Sequence, residues 1–177
     1  DIFTSCSECE NGGPGDPRKT GDTKGFRNFL ILEYNASQKA FREINKKVAT
    51  GYFSMNYDVA KLIMNPATTK ALGGIVAIDH YVSSPLQLAA DAKSLSQASG
   101  GKIVFGEMGA PIPDLNGQMT EDEQANWIDQ AMSGIFNSPE VIGVNYWVSV
   151  GGSTQIWQEN GKPKKAVEVI KKFYSLN

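Results

Sequence analysis

At 177 residues, with 41% hydrophobic and 20% charged side chains, the chain has room for one ordinary globular domain and is neither disordered nor membranous in composition. Its 17 basic and 19 acidic residues leave a net charge of −2 without a basic stripe, which argues against nucleic acid as a partner. No apolar run approaches the ~18 residues that a membrane span needs. The chain opens on Asp1 with neither an initiator Met nor a signal peptide, as expected of a processed protein or a piece of a longer one.

Five strand-then-helix units can be read in order. The first strand is expected over residues 2–7 and ends at Glu8; a Gly- and Pro-rich polar loop separates it from a helix over about 26–45. Cys6 and Cys9 form a C-x-x-C that suits packing or an incidental disulfide better than a metal or redox site, since His80 is the only histidine. Asn35-Ala36-Ser37 is a formal glycosylation sequon inside a helical pattern. A second strand over 48–53 precedes a helix over about 59–71 that Pro66 interrupts or kinks. The third strand, 75–78, runs into Asp79-His80-Tyr81, and its helix begins near Pro85 and ends near Ala98. Gly100-Gly101 leads to a fourth strand, 103–105, which exits into Gly106-Glu107-Met108-Gly109. Thr120 and Glu123 have capping-box spacing for a helix reaching about Phe136. The last strand, 141–146, runs to Trp147, and a final helix covers 164–174.

The helix-to-strand links are short, whereas three of the strand-to-helix links are long and carry Trp, Asn, Asp and Glu. Long loops confined to the strand C-termini are the layout of a (β/α) barrel active site. No G-x-G-x-x-G or Walker sequence supports the alternative, a doubly wound nucleotide-binding sheet. A carboxylate at the exit of a buried strand is costly to desolvate, so Glu107 stands out, and Glu8 ends the first strand in the same way. Strand alternation puts Thr4, Cys6 and Glu8 on one face, and Ile103, Phe105 and Glu107 on another. If both faces line a barrel, the two glutamates meet in its mouth. Two carboxylates about 5 Å apart are the apparatus of a retaining glycosidase.

Glu8, GEMG around Glu107, DHY at 79–81 and VIGVNYW at 141–147 together resemble the clan A glycoside hydrolases, with family 5 cellulases and mannanases closest in pattern. The resemblance implies a (β/α)8 barrel of which this chain holds strands four to eight, read as a single partial-barrel domain over residues 1–177. It implies Glu8 as acid/base, Glu107 as nucleophile and Tyr81 as the nucleophile's hydrogen-bond partner. Trp147 would floor the sugar site, with His80, Asn145, Trp157 and Ser7 as further substrate-binding residues. The partner implied is a β-linked oligo- or polysaccharide of cellulose or mannan type, the location extracellular, and neither a metal nor an organic cofactor is needed. Two departures are visible. Ser7 stands where the clan places Asn before the acid/base, and Glu10-Asn11 is a competing alignment. The missing strands one to three would have to come from an N-terminal half, a second chain or self-association. Simpler roles compete for the neighbours. Trp147 and Tyr146 could pack the barrel, Trp127 is expected in the core, Tyr52 and Asn56 cap or line the site, and Asp79 either orients His80 or pairs locally.

Overall fold

The structure, a computed structural model, describes residues 1–175. A 3-10 turn at Cys9–Asn11 is followed by α1 (Pro17–Thr20), α2 (Thr23–Glu43), β1 (Ser54–Asn56), α3 (Tyr57–Ile63), α4 (Pro66–Ala71), β2 (Ile75–Asp79) and α5 (Pro85–Ser99). Then come β3 (Lys102–Met108), α6 (Pro113–Asn116), α7 (Glu121–Phe136), β4 (Val141–Tyr146) and α8 (Lys165–Tyr174). The helix ends follow from local chemistry. Asp22 accepts from Gly25 N–H to start α2, and Thr120 and Glu123 close a reciprocal capping box on α7. Pro66 does not bend one helix but starts a second, with Asn65 accepting from Thr68 N–H, because proline suits the first helical position. Gly100 ends α5 at φ 71°, a left-handed conformation that favours glycine.

The four strands are parallel and lie in the order β1-β2-β3-β4, each pair bridged by helix, as in the wall of a (β/α) barrel. Met55, Ile78, Phe105 and Val144 are ladder partners across all four strands, with Val76, Ile103 and Val141 in a second row. Met55, Val76, Ile78, Ile103 and Phe105 are at most 1% exposed and share one core with Val59, Ile63, Leu88, Leu95, Ile128 and Met132 from the helices. Burying each such side chain stabilises by roughly 1.5–3 kcal/mol. The alternate row, Ser54, Ala77, Val104 and Gly143, occupies the opposite face, where Ser54, Val104 and Gly143 are only half-buried.

The expected first strand does not form. Residues 1–8 follow the segment leading into β1 through a single parallel bridge, Ile2 to Ala49, and meet β1 itself through Glu8 N–H donating to Ser54 O. Ile2 and Phe3 remain 65% and 39% exposed, so no apolar row is buried that would reward a continuous ladder. The second strand begins at Ser54 rather than at residue 48, with the Leu72 carbonyl pressed against Gly51 just before it. Among the described residues four strands therefore stand where five were expected.

Candidate functional site

The site gathers where the strands end. By alternation Glu107 would join Ile103 and Phe105 against the helices. A register shift intervenes: Ile78 pairs with Phe105, but the next residue, Asp79, pairs with Glu107, skipping Gly106. Met108 then resumes the buried row at 0% exposure, and Glu107 comes to the open face beside Asp79. Glycine is required at the skipped position, because a Cβ on Gly106 would lie 2.6 Å from Asp79 Oδ1 and 2.8 Å from Ser54 Cβ. Gly109 is equally constrained: a Cβ there would strike the Trp147 carbonyl oxygen.

Tyr81 Oη donates to Glu107 Oε2 at 2.9 Å. Burial, then that bond and the Glu107 charge, push the Tyr81 phenol well above its ordinary value, so it remains a donor. Asp79 is 6% exposed, and neither of its oxygens completes a hydrogen bond. Burial first, and then the negative charge of Glu107, raise its pKa to about 7, with Glu8 and Glu10 adding to the effect. The Ser54 hydroxyl opposes this, being near enough to favour the ionised form without reaching hydrogen-bond geometry. Glu10 is also buried; its Oε1 accepts from Asn56 N–H at 2.6 Å, while Oε2 has no partner.

Glu8 sits not at a strand end but before the 3-10 turn, with φ 48° and its side chain exposed, and Ser7 beside it is exposed too. A disulfide joins Cys6 to Cys9 across this turn. Glu8 is nevertheless close enough for its charge to act on both Asp79 and Tyr81. Asn145 is exposed and donates to Gly106 O at 3.0 Å, which ties β4 to the bulge. Trp147, 47% exposed, donates its N–H to Met108 O at 2.9 Å, and its peptide bond to Val148 is cis. Tyr146 points into the core side instead, donating to Thr154 O at 2.7 Å, and burial raises its phenol to about 12.

Two expected site residues are engaged elsewhere. The His80 ring meets Asp91 of α5 at 2.8 Å and stacks on Tyr57 at 4.1 Å, where burial lowers its pKa against the pull of Asp91. Only its backbone serves Glu107, with N–H donating to Glu107 O at 2.9 Å. Tyr57, Lys61, His80, Tyr81 and Asp91 line a neighbouring cleft of about 690 Å³. Trp157 packs on the core and bridges Pro163, so it braces its own loop. Trp127 is buried as expected, and Asn56 caps α3. Ser54 is a residue that the sequence does not single out, and Asp79, expected to orient His80 or pair locally, does neither: Asp91 holds the histidine and the Asp79 oxygens are unpartnered. Asp79 carries the same signal that singled out Glu107, a carboxylate at the exit of a buried strand. Among the described residues no group of His, Cys, Asp and Glu is placed to hold a metal ion, and no helix is long and apolar enough to cross a membrane.

The sequence matches no protein-family model and no curated protein. Its fold does match solved structures. A GH128 (subgroup VI) exo-β-1,3-glucanase from Aureobasidium namibiae aligns at TM-score 0.64 and 12% identity, over 98% of this chain and 66% of that one. A β-D-glucuronidase from Dictyoglomus thermophilum aligns at TM-score 0.60 and 16% identity, over 99% of this chain and 32% of the other. A β-glucuronidase from an uncultured Clostridium aligns at TM-score 0.57 and 15% identity, over 85% and 30%. The chain thus has the fold of part of a glycosidase barrel. It spans about a third of the length of these glucuronidases and about two thirds of the glucanase.

Proposed function

We propose that this chain carries the carboxylate side of a retaining glycosidase site of clan A type, acting on a β-linked glucan or mannan. The observation that carries the reading is Tyr81 Oη held on Glu107 Oε2 at the strand exits, with further carboxylates beside it. In this reading Glu107 attacks the anomeric carbon as Glu8 protonates the departing glycosidic oxygen. Glu8 then takes a proton from water, which attacks the same carbon, releases Glu107 and restores the starting configuration. The exposed Trp147 ring offers a sugar platform, with Asn145 and Ser7 at the rim. The structural relatives named above act on β-linked substrates, and that supports the choice of linkage. The half-exposed sheet face supports completion of the barrel by further strands, from an N-terminal half, a second chain or a second copy. The Cys6–Cys9 disulfide supports an oxidising, extracellular setting.

The test is hydrolysis of β-1,3- and β-1,4-glucans and mannan, followed by NMR of the first-formed anomer. Glu107→Gln and Glu8→Gln should each abolish turnover, and the wild-type product should retain configuration. Substantial activity in either variant sinks the assignment. A second reading, a non-catalytic carbohydrate-binding remnant, is favoured by Ser7 standing, exposed, where the clan places Asn. Saccharide binding by the wild type without turnover would establish it.

A further inference from the structure

Asp79 occupies a place built for it. It is the ladder partner of Glu107, it is 6% exposed, and the absent side chain of Gly106 leaves the space its carboxyl group fills. The groups that act on it come from every neighbouring element. Glu107 lies on β3, Glu8 and Glu10 on the N-terminal turn, Tyr81 two residues along its own chain and the neutral Ser54 hydroxyl on β1. Arg18 reaches the Glu10 corner, but its guanidinium is engaged by Asp16 and by Asn56 Oδ1. Ionised, Asp79 would be a buried, unpaired charge beside a second carboxylate, which is costly in a low-dielectric site. Protonated, it becomes a neutral donor in the field of Glu107 and of Glu10, whose Oε2 has no partner.

We propose that Asp79 is a positioning residue for Glu107 that works as the uncharged acid, holding the neighbouring carboxylate in place, and that its ionisation disables the site. The position of its titration agrees, its pKa being raised to about 7 by burial and by Glu107. The consequence for catalysis rests on the glycosidase reading; the protonation itself does not.

The experiment compares wild type with Asp79→Asn, which fixes the uncharged shape. Because the folded protein keeps a proton on Asp79 that the unfolded chain has lost, the Asp79 contribution to stability falls as pH rises from about 4 to about 7 and is level above that. The unfolding constant of wild type relative to Asp79→Asn should therefore climb about tenfold per pH unit across that window. Were the variant not to fold, ¹³C NMR of labelled aspartate in the wild type reads the same property. One side-chain carboxyl should still be protonated at pH 6 and titrate near 7. Aspartates that all titrate below pH 5, or a ratio flat with pH, would overturn the proposal. In the activity assay the alkaline limb near pH 7 should move up by at least one unit in Asp79→Asn. An unmoved limb in an active enzyme removes the positioning role. The expected stability profile in a protein with no activity upholds the neutral Asp79 and rejects the glycosidase.

Discussion

Gly109→Ala is expected to destabilise the protein while disturbing Trp147, and its size can be worked from the geometry. An added Cβ would meet the Trp147 carbonyl oxygen head-on and approach Thr154 Cβ and Cγ2 at 3.3 Å. The first obstacle is backbone, held by the Trp147 N–H bond to Met108 O, so it cannot rotate aside as a side chain would. Overpacking of this kind costs about 1–3 kcal/mol. For a chain of this length that is a fall in Tm of roughly 2–12 °C. Gly134→Ala is the internal comparison. In the last turn of α7 its Cβ would find only Ala89 Cβ at 3.4 Å, and replacing a helical glycine by alanine gains roughly 0.5–1 kcal/mol. The two substitutions are chemically identical and should move Tm in opposite directions. Circular dichroism on heating and in urea would measure both, and tryptophan emission of the folded state should change for Gly109→Ala alone. A Gly109→Ala protein that melts at or above the wild-type temperature would refute the close approach of the two loops.

Tyr81→Phe removes a hydrogen bond to a charged acceptor, worth about 1.5–3 kcal/mol, and should lower kcat roughly ten- to hundredfold with KM little altered. A loss below about threefold would show that the phenol does not serve Glu107 in the reaction. Thr120→Ala opens the capping box of α7 and should cost about 1 kcal/mol, read as a drop in urea midpoint at constant slope. Losing no stability there would mean that the helix start is held by tertiary packing alone.

The elements most legible in the sequence are those whose signals are local. The caps and prolines of α4, α5 and α7 are written in consecutive residues, and β4 forms over the residues expected of it. The segment at 2–7 looks like a strand by composition, but a strand also needs a face to bury, and Ile2 and Phe3 stay 65% and 39% exposed, with Phe3 meeting only the edge of Phe41. The orientation of Glu107 does not follow from alternation. Simple alternation would bury it with Phe105, and only the bulge at Gly106, set by pairing with β2, delivers it to the open face. The resemblance places His80 in the site through the DHY run, yet adjacent residues on an extended chain diverge, and α5 supplies Asp91 to the histidine. Asp79 was weighed only against its neighbours in sequence. Its importance arises from Glu107, Glu8 and Glu10, which only the folded chain brings near.

The strand order of the sheet is also the order of synthesis. Each new strand lies beside the one made just before it, and the helix between them covers the joint. A chain emerging from the ribosome can therefore complete each layer of its core against the previous one, with no early segment waiting for a late partner. The charged corner at residues 8 and 10 is the exception. It leaves the ribosome before β1, and Glu107 joins it only after two more units have been laid down, so assembly of the site comes late in a fold that otherwise grows stepwise.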